Sequence, residues 1–211
     1  MNAFEALGLK EELLQSISEL GFETPTQIQE KAIPVLLSGT TDFIGLAQTG
    51  TGKTAAFGLP LLQLINPSER HPQALIVCPT RELCLQITND LDTFKKHSKS
   101  IFSEAVYGGA SITMQIRNLR KGVHIVIATP GRLIDLIERK AIDLQKVKYV
   151  VLDEADEMLN MGFRDDIDFV LKNTINREST WLFSATMPPE VRAISKNYMD
   201  DPKEVTVGKK N

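Results

Sequence analysis

Cysteine is nearly absent: Cys78 and Cys84 are the only two in 211 residues, and no histidine or cysteine partner stands at metal-ligand spacing from either. That excludes a disulfide framework and a cysteine-bound metal, and it fits a reduced compartment. Histidine is equally sparse, and His71, His97 and His124 show no paired pattern, so they read as ordinary surface or strand residues. No stretch approaches the roughly 18 uninterrupted apolar residues that a membrane span needs, and the N-terminus lacks a basic segment followed by an apolar signal core. A large positive charge is missing too: the formal net charge is -3, so any nucleic acid would have to be held by a local patch. Internal repeats, low-complexity tracts and long linkers are also lacking. The expectation is a soluble, cytoplasmic, monomeric chain without membrane attachment, and its 42% hydrophobic content suffices for one sizeable core.

What is present is an alternation of two periodicities. Short apolar, β-branched runs at 42–47, 73–78, 101–106, 123–128, 147–152 and 180–183 read as strands. Between them, 53–64, 81–94, 113–119, 132–138, 166–171 and 190–198 carry Leu, Ile and Phe at helical spacing. Several strands are apolar at nearly every position, as a mainly parallel sheet with helices on both faces requires. The predicted fold is therefore a doubly wound α/β domain over 41–207. A leader over 1–40 carries two amphipathic helices marked by Leu13, Leu14, Ile17 and Leu20, then Ile28, Ala32, Ile33, Leu36 and Leu37, and is too short and polar to stand alone. Asp201-Pro202 and Gly208-Lys209-Lys210-Asn211 read as a chain leaving its core, with 208–211 a truncated linker.

After the first strand comes Ala47-Gln48-Thr49-Gly50-Thr51-Gly52-Lys53-Thr54, a glycine-rich turn opening a helix. Strand, turn and helix in that order aim backbone N–H groups and a positive dipole end at a phosphate. Lys53 can reach terminal phosphates and the Thr54 hydroxyl can ligate magnesium. The bland alternative is an ordinary glycine turn, but the strand at 147–152 delivers Asp153-Glu154-Ala155-Asp156 at its tip. Two adjacent acids there can be merely the start of a helix. Beside a phosphate loop they gain a chemistry, with Asp153 holding magnesium and Glu154 positioning the attacking water.

Other strings end on the same edge of the sheet. Ser184-Ala185-Thr186 places two hydroxyls within reach of Asp156, where hydrogen bonds would couple nucleotide state to the rest of the domain. Pro79-Thr80-Arg81, Gly108-Gly109 after Tyr107, and Thr129-Pro130-Gly131-Arg132 each follow a strand. Singly each is a turn or helix start. Together their amides, hydroxyls and the arginines Arg81 and Arg132 suit a sugar-phosphate backbone better than base edges.

Read jointly, these strings resemble the DEAD-box RNA helicases, from Phe4 to Thr186. The resemblance implies a RecA-like P-loop NTPase domain that uses ATP and Mg2+ and binds RNA mainly through its backbone. It also implies that Gly21 to Gln29 reads adenine, with Gln29 pairing to the base edge, Phe22 packing on the ring, Thr24 in the same segment, and Phe4 as a supporting aromatic. Catalytic roles then fall to Lys53, Asp153, Glu154, Ser184 and Thr186. Gln48, Thr49, Gly50, Thr51, Gly52, Lys53 and Thr54 would hold the nucleotide. The chain departs from the family's usual pattern at Gln27 and Cys84, where proline and alanine are common. The family's engine has two RecA-like domains, and only the first is legible here, so the chain is expected to bind nucleotide and hydrolyse it poorly. The implied function is the N-terminal half of an ATP-dependent RNA helicase. A non-catalytic ATP-gated RNA clamp or ribonucleoprotein scaffold shares every residue named. A DNA-directed helicase or P-loop kinase would not need the adenine-reading leader.

Overall fold

The structure, a computed structural model, describes residues 3–98 and 100–208; the last three positions of the expected linker lie outside the described residues. Seven strands form one sheet: β1 (Phe43–Leu46), β2 (Ala74–Val77), β3 (Ser103–Val106), β4 (Ile125–Ala128), β5 (Tyr149–Leu152), β6 (Ser179–Ser184) and β7 (Lys203–Thr206). Their order is β3-β4-β2-β5-β6-β1-β7 and every pairing is parallel.

Alternation along each strand sends neighbouring side chains to opposite layers. In β5, Tyr149 and Val151 join one buried cluster and Val150 and Leu152 the other; in β6, Trp181 and Phe183 oppose Leu182. The first layer is covered by α1 (Glu11–Glu19), α2 (Gln27–Leu36), α3 (Lys53–Leu64) and α4 (Arg81–Phe94). The second is covered by α6 (Pro130–Glu138), α7 (Ala155–Asn160), α8 (Arg164–Asn173) and α9 (Pro189–Tyr198), with α5 (Ile112–Arg120) at its margin. This is the expected α/β architecture with helices on both faces.

The leader is built into the first layer: Phe4, Leu13, Ile17, Ile28 and Ile33 share a buried cluster with Phe57 and Phe183. Helix α2 starts with a reciprocal capping box between Thr26 and Gln29, which satisfies two otherwise orphaned N–H groups. Gly58 lets α3 and α4 approach closely, because a Cβ there would sit 2.9 Å from Leu91 Cδ2.

Two elements depart from the sequence reading. The segment after Asp201-Pro202 does not leave the core; it forms β7, hydrogen-bonded to β1 with Val205 buried. Only that one residue of Lys203–Thr206 is buried, so the strand carries no apolar run to betray it. Helix α7, six residues long, directly follows the acidic strand tip and was likewise too short to show a helical period. None of the described helices is long and apolar enough to cross a membrane.

Candidate functional site

Parallel strands put all their C-terminal ends on one edge, and the short strings cluster there. The loops after β1, β5 and β6 carry the phosphate loop, the acidic tip and Ser184-Ala185-Thr186, while those after β2, β4 and β3 carry the basic and glycine-rich strings. The halves meet where β5 lies beside β2, and Asp153 N–H donates to Val77 O at 2.9 Å.

The phosphate loop turns on two left-handed glycines, Gly50 (φ +83) and Gly52 (φ +86). Gly52 is the N-cap of α3 and has no side chain to cap it, so among the described residues no N-cap side chain occupies the first N–H groups of α3, which is the arrangement that receives an anion. A side chain at Gly52 would also run into Gln29 Nε2 and come within 2.9 Å of Thr26 Oγ1. Those contacts exist because Gln29 is tied to the loop: its Nε2 donates to Gly52 O at 3.2 Å and its Oε1 accepts from Thr26 N–H at 2.9 Å.

At the centre lies an ion pair. Lys53 Nζ sits 3.5 Å from Asp153 Oδ1, with both side chains almost fully buried. Burial pushes the Asp153 carboxyl above its ordinary range, opposed mainly by the Lys53 charge. Glu154 is raised as well, first by burial and then by Asp153 beside it. Glu154 adopts left-handed backbone angles (φ 53, ψ 50), an arrangement costing a non-glycine residue roughly 1–2 kcal/mol. That single residue turns β5 into α7, and its Oε1 accepts from Thr49 Oγ1 at 3.5 Å, bringing the acidic tip to the phosphate loop.

Asp156 is held differently. Burial acts to raise it, but hydrogen bonds, above all from Thr186, outweigh that and keep it below the usual carboxylate range. Its Oδ2 accepts from Thr186 Oγ1 at 2.8 Å and Thr186 N–H at 3.1 Å, while its own N–H donates to Ser184 Oγ at 3.2 Å. Ser184 is fully buried at the end of β6, and neither it nor Thr186 lines a cavity beside the phosphate loop; the contact of Ser184 to the acidic tip is the bond it accepts from Asp156.

Two cavities flank the phosphate loop. One, of about 380 Å³, brings together Phe22, Gln29, Thr49, Gly50, Gly52, Lys53, Thr54, Asp153 and Glu154. The other, of about 580 Å³, is lined by Gln48 and Thr51 with Pro25, Thr26 and Gln27. The first holds the ionisable side chains Lys53, Asp153 and Glu154 and is the better candidate for a nucleotide. Thr24 is exposed and lines neither. Part of the first cavity's wall was missed from the sequence: Leu83, Gln86, Asp90, Thr93 and Phe94 of α4, with Leu20. A polar stripe on an amphipathic helix is indistinguishable in sequence from a solvent face.

On the other half, Thr80 caps α4 by accepting from Leu83 N–H at 3.2 Å, and the Arg81 guanidinium lies 5.0 Å from the Tyr107 ring centre. Gly108, Gly109 and Gly131 are exposed, Thr129 is half-buried, and Pro79 and Pro130 are buried. Arg132 is partly committed within the domain, donating to Ala110 O at 3.1 Å and Gln115 Oε1 at 2.9 Å. The two arginines are therefore not equivalent: one is an exposed cation, the other also a brace between loops.

A parallel sheet flanked by helices, with a glycine-rich phosphate loop after β1 and an acidic tip after β5, defines a P-loop nucleotide-binding domain of the RecA-like class. More narrowly, the chain belongs to the DEAD/DEAH box helicase family, whose model matches residues 26–194. It is 48% identical over 204 residues to the ATP-dependent RNA helicase DeaD of Haemophilus influenzae, a match covering 97% of this chain and 33% of that protein. It is 52% identical over 206 residues to the RNA helicase CrhR of Synechocystis, covering 98% and 41% respectively. A crystal structure of a DEAD box protein from the hyperthermophile Methanococcus jannaschii is similar with a TM-score of 0.92 at 41% identity, covering 98% of this chain and 56% of that one. The chain thus spans about a third to two-fifths of the length of these curated relatives.

Proposed function

We propose that this chain is the nucleotide-binding half of a cytoplasmic ATP-dependent RNA helicase, working with a second RecA-like domain in cis. The observation that carries the reading is the buried Lys53–Asp153 pair, set in a cavity that also holds Gln29, Phe22 and the start of α3. Lys53 exchanges its carboxylate partner for phosphate oxygens when a nucleotide enters, and the amides of Gly50 to Thr54 orient the phosphates. Among the described residues no group of three or more His, Cys, Asp and Glu forms a metal cage. The hard oxygens of Thr54 and Asp153 instead suit Mg2+ shared with phosphates and water, which supplies charge neutralisation when bound. Glu154, raised by burial and aimed at the loop, orients a water and takes its proton. Asp156, Ser184 and Thr186 link the acidic tip to β6. Arg81, Gly108, Gly109, Gly131 and the free part of Arg132, with Pro79, Thr80, Thr129 and Pro130 shaping their loops, grip RNA by its backbone.

The test is ADP binding by calorimetry together with ATP hydrolysis with and without single-stranded RNA. ADP binding with negligible turnover is expected. Robust RNA-stimulated turnover by this chain refutes the need for a second domain, and failure to bind ADP refutes the nucleotide site.

A further inference from the structure

Helix α4 contributes a wall to the nucleotide cavity that no chemistry described so far uses. Gln86, Asp90 and Thr93 stand at helical spacing along the face that lines it, between Leu83 and Phe94. Thr93 Oγ1 donates to Asn89 O at 3.0 Å, but among the described residues neither Gln86 nor Asp90 has a side-chain hydrogen bond or ion pair. Asp90 is the unusual one, a half-buried carboxylate without a cation or donor to offset its lost hydration. Asp92, two residues on, is exposed and paired with Lys95 at 3.3 Å, as a surface acid ordinarily is. Burial raises the Asp90 carboxyl above its ordinary range, and no neighbouring cation lowers it.

Its height in the cavity indicates what it meets. Helix α4 begins at the sheet edge that carries the phosphate loop and runs away from it, and at its far end the Phe94 ring lies 6.3 Å from the ring of Phe22. Asp90 precedes Phe94 by one turn, roughly 6 Å along the axis. It therefore stands at a level between the phosphate loop and Phe22, where the sugar of a nucleotide bridges phosphate and base. A carboxylate accepting from vicinal hydroxyls is a sound match for a ribose, the same pairing that dinucleotide-binding folds use.

We propose that Asp90 is a specificity-determining residue that accepts hydrogen bonds from the ribose hydroxyls of the bound nucleotide. This rests on the nucleotide reading of the same cavity. Calorimetry with ADP and with 2′,3′-dideoxy-ADP, on the whole chain and on its Asp90→Ala and Asp90→Asn variants, separates the two. The readout is the ratio of the two affinities, because repulsion between Asp90 and the phosphates acts on both ligands alike and cancels. The unaltered chain should prefer ADP by about tenfold or more, Asp90→Ala should bring the two within about twofold, and Asp90→Asn should fall between. An unchanged ratio in Asp90→Ala, or no preference in the unaltered chain, overturns the ribose assignment while leaving the nucleotide site standing. If the unaltered chain binds neither ligand, the nucleotide reading itself fails and takes the ribose assignment with it.

Discussion

Removing Lys53 should destabilise the empty domain in a pH-dependent way, because it strands Asp153. The two side chains lie 3.5 Å apart and are only 7% and 3% exposed. Breaking a buried pair by deleting one partner costs about 3–5 kcal/mol, and a domain of this size loses about 2–4 °C of Tm per kcal/mol, giving roughly 6–20 °C. The adjoining cavity lets water reach the stranded charge, which puts the expectation for Lys53→Ala at the lower end, about 6–10 °C at neutral pH. Burial already raises the Asp153 carboxyl above its ordinary 3.8, and losing the Lys53 charge raises it further. The folded state then binds a proton more tightly than the unfolded chain, so stability falls as pH rises from the ordinary aspartate value to the raised one. The penalty is full above that window and absent below it. The deficit of Lys53→Ala should therefore shrink on acidification, and adding Asp153→Asn should remove most of it at neutral pH. Thermal unfolding of both variants and the unaltered chain, between pH 5 and 8 without nucleotide, is the assay. A pH-independent deficit, or a double variant no more stable than Lys53→Ala, refutes the stranded-charge account.

Gln29→Ala should lower stability by about 1–2 kcal/mol in urea denaturation, since it loses the bonds to Thr26 and Gly52, and should erode preference for ATP over GTP. A variant that still discriminates fully shows that adenine is read elsewhere. Glu154→Gln, placed in a two-domain form, should keep nucleotide and RNA affinity while turnover falls by roughly a hundredfold or more; normal turnover removes Glu154 from the chemistry. Arg81→Glu should weaken RNA of every sequence alike and flatten the salt dependence of binding. Arg132→Glu should do the same and also lower the Tm, because it breaks the brace to Ala110 and Gln115; a loss confined to some RNA sequences contradicts backbone recognition.

The strands of the sheet interior were legible because burial on both faces leaves them no polar positions, as in Ala74–Val77 and Tyr149–Leu152. The helices after them were legible from their period. The phosphate loop and acidic tip could be read because their chemistry is local in sequence. What stayed hidden depends on distant partners. Nothing near Arg132 in the chain announces that Ala110 and Gln115 occupy one of its nitrogens. Nothing in Ser184 says that it accepts from Asp156 while Thr186 donates to it. Asp90 looks like any surface acid until the leader folds over and turns its helix face into a cavity wall.

The pairing of β7 with β1 has a practical consequence for handling the protein. Strand β1 is uncharged along Phe43–Leu46, with three of its four residues buried, and β7 covers its outer edge over the full length. β7 is short and charged, and Glu204 is fastened to Arg192 of α9 through contacts of 2.8 and 3.2 Å. It thus ends the sheet with an edge that a second copy pairs with poorly. A fragment trimmed at the end of α9 would keep every residue assigned to nucleotide or RNA, yet would bare the backbone of β1 and invite self-association. Soluble fragments should therefore run past Thr206, although no residue beyond Tyr198 takes part in the proposed chemistry.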